Sequence, residues 1–333
     1  MMKALRIHAP HDIRLDKVEV PRITEDEVLV KVLATGICAG DVKVVDGAQM
    51  FWGGGVLPKW VDEPVTLGHE SVGEVVAVGD GVARQIGLAL GDYVVAEQII
   101  PCGECRFCRS GERWMCRDQR IYGSKKRVAE GSMAQYMKFY GNSVIHRVPK
   151  HVRPEHLAMV EPLSCAVHTV ERASIAFDDV VVIAGLGPIG LCKLQLARRK
   201  SPKLLIGLDI QEKRLELARR LGADQVFNPK CRDVVDEVKK LTDGYGCDIY
   251  IHCSGQSSGV LQGLKMLRNH GRYVEFSVFM SGTAVDWTIV GDRKELDIRG
   301  AHLWVYWVFD RNRHAGERRH RRNGDRHARD EPG

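Results

Sequence analysis

Four cysteines, Cys102, Cys105, Cys108 and Cys116, stand on one short stretch with gaps of two, two and seven residues. Four thiolates so spaced can close a tetrahedron around Zn²⁺ with no position left open, as structural sites do. Without a metal they would be an oxidation liability, and an iron–sulfur cluster is the other ligand chemistry such a set admits. A second set is dispersed: Cys38 in Gly36-Ile37-Cys38-Ala39-Gly40-Asp41, and His69-Glu70 in Gly68-His69-Glu70-Ser71-Val72-Gly73. A catalytic zinc needs three protein ligands, one position for water or substrate, and carboxylates behind the ligands. Cys38, His69 and a carboxylate would meet that need. Spacing alone leaves core packing equally open, because a lone cysteine usually acts as a small core residue.

The third candidate is Gly185-Leu186-Gly187-Pro188-Ile189-Gly190, with Asp209 nineteen residues beyond Gly190. A GxGxxG by itself is often a mere turn. Here it follows the apolar run 180–184 and opens a helical segment, so glycines, helix N-terminus and distal acid stand where a dinucleotide requires them. Asp209 would accept hydrogen bonds from the adenosine ribose and repel a 2′-phosphate, which favours NAD over NADP; Lys213 and Arg214 soften that preference. Ser254, after a later strand, joins the cofactor-binding set.

These residues need elements to hold them. Residues 3 to about 150 are mostly β, with short Val/Ile/Leu runs such as 27–32 and 91–96 broken by Gly, Pro and Asp. From about residue 155, strands at 180–184, 204–209, 225–227, 248–251 and 272–276 alternate with helical segments at 191–200 and 213–221. Such alternation builds a doubly wound parallel sheet. The expected division is a zinc-binding catalytic domain over 1–155 and a Rossmann cofactor domain over 156–300, a size that suits two domains.

Composition narrows the function. Hydrophobic content of 44% and charged content of 28% suit a soluble globular chain. No apolar stretch is long enough to span a bilayer, and the N-terminus reads as strand rather than signal peptide. Ten cysteines without a secretory signal point to a reducing compartment, hence the cytoplasm. The net charge is +6, but residues 304–333 carry eight Arg against five Asp or Glu and so supply half of it. The body therefore gives no support to nucleic-acid binding. That final stretch, rich in Arg, His, Gly and Asp, has little to bury, and its composition suits disorder.

Gly68-His69-Glu70 with Gly73, Gly79 and Val82, followed by the four-cysteine lobe, resembles the medium-chain zinc alcohol dehydrogenases. The resemblance implies a GroES-like fold for the first domain and two zinc ions per chain. The segment Val160-Glu161-Pro162-Leu163-Ser164-Cys165 looks like the sorbitol and threonine dehydrogenase branch, where glutamate replaces a cysteine ligand. The resemblance thus assigns the catalytic zinc to Cys38, His69 and Glu161, with Glu70 as an alternate or exchanging ligand. It resembles most the polyol dehydrogenases of the erythritol/L-threitol type, through Phe51-Trp52-Gly53, Glu97-Gln98-Ile99-Ile100-Pro101-Cys102, Gly271-Arg272-Tyr273-Val274-Glu275, Val285-Asp286-Trp287 and Gly300-Ala301-His302-Leu303. The implied reaction is hydride transfer from a small polyol to NAD. Homo-oligomers are usual in that family, with residues 279–300 carrying the contact here.

Two departures stand out. Many relatives have a Ser or Thr two residues after the cysteine ligand, which passes the alcohol proton outward to a histidine; this chain has Gly40 and Lys43 in those places. A water, the substrate's neighbouring hydroxyl or Glu70 is expected to substitute, with Lys43 at the outer end. The resemblance also stops at Leu303, and residues 304–333 read like a shifted frame, with a genuine basic extension as the alternative. A second function therefore stands beside the first: a zinc- and nucleotide-binding chain that no longer catalyses. A quinone reductase of the same fold is disfavoured by the complete ligand set.

Overall fold

The computed structural model describes residues 1–118, 120–124 and 129–303. The expectation for residues 304–333 lies outside these. Alternating apolar and polar residues in the first half give strands with one buried face. β1 (Met2–Ala9), β2 (Asp12–Val18), β3 (Val28–Thr35), β4 (Val65–Thr66), β5 (Ser71–Val78) and β6 (Tyr93–Ala96) are joined by β7 (Ile99–Ile100), β8 (Arg120–Ile121), β9 (Tyr136–Phe139) and β10 (Ile145–Arg147). They form a three-stranded sheet ordered β2-β1-β4, a five-stranded sheet ordered β10-β6-β5-β3-β9, and the pair β7-β8. Val28, Val30, Val75, Val94, Ile100, Tyr122 and Phe139 close one core.

The second half holds β11 (Val180–Ala184), β12 (Leu204–Leu208), β13 (Gln225–Phe227), β14 (Cys247–His252), β15 (Leu267–Glu275) and β16 (Asp297–Gly300). They make one parallel sheet ordered β13-β12-β11-β14-β15-β16. The order reverses beside β11, the place where such sheets bind their ligands. β11 is apolar throughout because both its faces are covered: Val180, Val182 and Ala184 enter one core, Val181 and Ile183 the other. Burying each of these valines and the isoleucine contributes roughly 1.5–3 kcal/mol before entropy is counted.

The helix expected over 191–200 runs Pro188–Arg198, because Pro188 opens the first turn with its φ already set. The strand expected over 272–276 begins earlier, at Leu267. Its first part breaks the apolar pattern: His270 is left-handed (φ 55) and the register with β14 shifts between Cys247 and Ile249. A strand interrupted in this way carries no alternation to read. Between the halves, the helix Val160–Ala173 carries Glu161 in its first turn, while its length packs on Pro188–Arg198 and on β14 to β16. One element thus belongs to the sheet and delivers a carboxylate towards the β-rich half. Among the described residues no helix is long and apolar enough to cross a membrane.

Candidate active site

The four lobe cysteines converge, with their sulfurs within 4.8 Å of one another. Cys105 and Cys108 sulfurs are 3.5 Å apart, and those of Cys102 and Cys108 are 3.9 Å apart. Zinc–thiolate bonds of about 2.3 Å in a tetrahedron demand sulfur separations of about 3.8 Å, so the lobe fits a structural zinc. Backbone amides of Cys102 and Cys105 donate to the Cys116 and Cys102 sulfurs at 3.3 Å, the bonding that thiolates receive. Backbone donation from Arg117 and Cys108 draws the Cys105 thiol down to about 6, whereas burial pushes Cys108 up to about 12. Arg113, beside the lobe, forks onto the Glu97 carboxylate with two bonds of 2.7 Å, and His146 joins Glu97 at 3.0 Å. That buried triad ties the lobe to the five-stranded sheet.

Cys38, His69 and Glu70 form the second cluster, their ligand atoms also within 4.8 Å of one another. Cys38 N-caps the short helix Ala39–Val45, and Asp41 accepts the Cys38 amide at 2.9 Å, so the cap holds the thiol's backbone in place. The same Asp41 lies 3.8 Å from His69 Nδ1, a carboxylate placed behind a ligand histidine. Glu70 reaches in over Gly36: a Cβ there would lie 2.1 Å from Glu70 Oε2, so only glycine leaves room for this carboxylate.

Glu161 lies buried behind this trio and outside it, with its Oε1 accepting from the Cys165 thiol at 3.2 Å. Burial pushes the Cys38 thiol up, and burial with the neighbouring Glu161 charge lifts Glu70 to about 7. Burial also raises Glu161. Burial alone would lower His69, but its hydrogen bond with Cys38 and the Asp41 carboxylate carry it up to about 10. A thiol and several carboxylates thus crowd one imidazole in a low-dielectric pocket. Such a donor set fits a divalent cation, which relieves the excess negative charge.

Lys43, on the helix after Cys38, reaches the parallel-sheet half. Its Nζ rests where a Cβ on Gly255 would lie 2.7 Å away. Burial lowers its pKa against the raising effect of Cys38 and Glu275. Phe51 and Trp52 pack beside the core of Ile7, Val44 and Leu67, and Trp52 Nε1 donates to the Val44 carbonyl at 2.7 Å.

At the GxGxxG turn each glycine meets a different demand. Gly185 has φ +97 and packs on the Ser254 backbone; Gly190 abuts the Gly185 carbonyl, where a Cβ would sit 1.9 Å away. Gly187 has nothing within 4 Å of its Cβ position, and it N-caps Pro188–Arg198 without a side-chain cap. The open side of the turn and the uncapped helix N-terminus form a cradle for a pyrophosphate, beside Pro188 and Ile189. Asp209 Oδ2 accepts the Leu186 amide at 2.7 Å, which locks the turn to the end of β12. Arg214 stands 3.4 Å from that carboxylate.

Residues 24–150 match the alcohol dehydrogenase GroES-like domain, and residues 188–308 match the zinc-binding dehydrogenase family. The chain belongs to the zinc-binding alcohol dehydrogenases. It is 48% identical over 305 residues to the erythritol/L-threitol dehydrogenase of Mycolicibacterium smegmatis, covering 92% of this chain and 84% of that one. It is 34% identical over 282 residues to the sorbitol dehydrogenase of Halalkalibacterium halodurans, covering 84% and 77%. Among solved structures, a zinc-binding dehydrogenase of Sinorhizobium meliloti bound to NADP superposes with a TM-score of 0.80 at 29% identity, covering 95% of this chain and 87% of the other. This zinc-binding alcohol dehydrogenase is therefore a zinc-dependent alcohol oxidoreductase of the polyol branch, with a GroES-like domain and a Rossmann-like sheet. Glu161 was accessible from sequence only through resemblance. The roles of Asp41, Gly36 and the Glu97–Arg113–His146 tie are not legible in the motifs, since each acts through a fold contact that sequence spacing does not display.

Proposed function

We propose that the chain oxidises a secondary hydroxyl of a four-carbon polyol of the erythritol or threitol type, with NAD as hydride acceptor. The observation that carries this is the Cys38–His69–Glu70 convergence at the head of a helix whose Lys43 reaches the coenzyme half. The 48% identity to an erythritol/L-threitol dehydrogenase supports the substrate class. We assign the catalytic ion to Cys38, His69 and a carboxylate that alternates between Glu70 and Glu161, and the structural ion to Cys102, Cys105, Cys108 and Cys116. When bound, the catalytic zinc lowers the pKa of a coordinated hydroxyl and the nicotinamide takes up hydride.

The chain's own residues do the rest. Asp41 orients His69. Gly187 and the helix N-terminus take the pyrophosphate, between Gly185 and Gly190 and beside Pro188 and Ile189. Asp209 accepts the adenosine ribose hydroxyls and selects NAD, while Arg214 tempers its charge; Ser254 lines the coenzyme turn. The division lies near residue 155, with a catalytic unit over 1–155 and a coenzyme unit over 156–300. The enzyme acts in the cytoplasm as a homo-oligomer.

Purified protein should contain two zinc ions by mass spectrometry and reduce NAD with erythritol or threitol within a panel of C3–C6 polyols and threonine. A preference for sorbitol or threonine would move it to those branches. Two zincs without turnover on any alcohol would favour the non-catalytic reading.

A further inference from the structure

Gly40 has no hydroxyl, so a proton leaving the substrate needs another route out of the cleft. At the carboxyl ends of β14 and β15 an imidazole is fully buried with both nitrogens engaged. His252 Nδ1 lies 2.9 Å from Glu275 Oε2, and His252 Nε2 lies 2.7 Å from Ser254 Oγ. Its close polar partners on these nitrogens are a carboxylate and a hydroxyl, both of which exchange protons.

The two ends of this chain face different places. Glu275 lines a cavity of about 470 Å³ together with Gln49, Met50 and Leu57 of the β-rich half. Ser254 is exposed, and its backbone packs on Gly185 at the coenzyme turn. The groups around the imidazole are Tyr250, stacked on it, Tyr273, whose hydroxyl donates to Glu275 Oε2 at 2.9 Å, Ser277 Oγ at 3.4 Å and Phe279. Two cations act on Glu275: Lys43 from the helix after Cys38, and the buried Lys193, which bonds to Cys253 Sγ at 3.4 Å.

We propose that Glu275, His252 and Ser254 form a proton wire that carries the substrate's hydroxyl proton from the cleft to the surface at the coenzyme turn. This rests on the dehydrogenase reading above. The substrate's O–H proton passes to the Glu275 carboxylate by way of water in the cavity that Glu275 lines. Glu275 passes it to His252 Nδ1, and the imidazolium releases its Nε2 proton to Ser254 Oγ, whose own proton leaves to water. One proton enters and one leaves, no covalent bond between heavy atoms changes, and the electron pair of the carbinol C–H bond departs separately as hydride to the coenzyme. Lys43 and Lys193 are positioning residues whose charges act on the Glu275 carboxylate.

The test uses the full-length, zinc-loaded protein and the variants His252→Ala, His252→Asn, Glu275→Gln and Ser254→Ala, with zinc content and NADH affinity by fluorescence measured on each. The expected result is a fall in kcat of about 10²-fold for the His252 and Glu275 variants and less for Ser254→Ala, the usual range for losing a proton-transfer group. In the His252 and Glu275 variants the KM for NAD stays within about twofold and the solvent deuterium isotope effect on kcat rises, and added imidazole restores kcat in His252→Ala. An unchanged kcat and isotope effect overturns the wire. So does a rise in the KM for NAD alone without imidazole rescue, which marks a packing role.

If the wild type oxidises no polyol, the dehydrogenase reading fails on its own. The wire is then read from ¹⁵N NMR of the His252 ring in metal-free protein. Glu275→Gln should shift the tautomer balance and Ser254→Ala the Nε2 resonance, and no change in either overturns the wire.

Discussion

The lobe cysteines reach one another along a single loop, whereas Cys38 and His69-Glu70 converge from separate segments, with Glu161 of a third segment buried behind them and outside the trio. The lobe can thus acquire its geometry locally, with backbone amides pointing at sulfur within the same loop. The dispersed cluster exists only when the Ala39–Val45 helix, β5 and the helix Val160–Ala173 are all docked. A defect in the lobe is therefore confined to its own ion and the surface it ties down, while a defect in docking disperses the second cluster. That asymmetry can be tested in order of expected size.

Cys38→Ser should reduce kcat/KM by 10³-fold or more, because a Lewis acid is worth several kcal/mol at about 1.4 kcal/mol per tenfold. Metal analysis should show one zinc in place of two. Retention of both ions would break the assignment. Cys116→Ser should remove the other ion and lower stability by several kcal/mol, on the order seen when metal binding and local folding are coupled. The Cys38 cluster should stay loaded, as metal counting and calorimetry on one preparation will show.

Glu97→Ala probes the tie between lobe and sheet. Removing one partner of a buried, doubly hydrogen-bonded pair costs about 3 kcal/mol, so Tm should drop while both zincs remain. Burial alone would raise the Glu97 carboxyl, but Arg113 and His146 hold it below the usual carboxylate range. Its stabilisation is then present above the unfolded-state pKa and lost as pH falls through the lower folded-state value. The wild type should therefore lose stability in acid, and the variant less steeply.

The smallest effect concerns Glu70, whose sign is opposite. Lifted to about 7 by burial and Glu161, it contributes stability that is complete below its unfolded pKa and lost as pH rises through about 7. Metal-stripped protein should weaken between about pH 5 and 7 by at most about 1.4 kcal/mol per pH unit, and Glu70→Gln should flatten that slope. Thermal denaturation across that range reads it directly; an unaltered slope would mean Glu70 is not the group that titrates.

Sequence by itself determined what is local. The spacing of the lobe cysteines, the Gly185–Gly190 turn with its preceding apolar strand, and the both-faces-buried character of β11 follow from neighbours a few residues apart, because a loop, a turn and a strand period need nothing more distant. The later onset expected for β15 shows the limit: one left-handed residue, His270, erased the period over its first part. Tertiary structure alone decided the rest. Gly36 makes room for Glu70 only because β5 returns beside β3, Lys43 meets Gly255 only because the two halves dock, and His252 faces Glu275 only because β14 and β15 are neighbours in register. Ligation and proton transfer act over a few ångströms between residues far apart along the chain, and only the docked fold sets which residues those are.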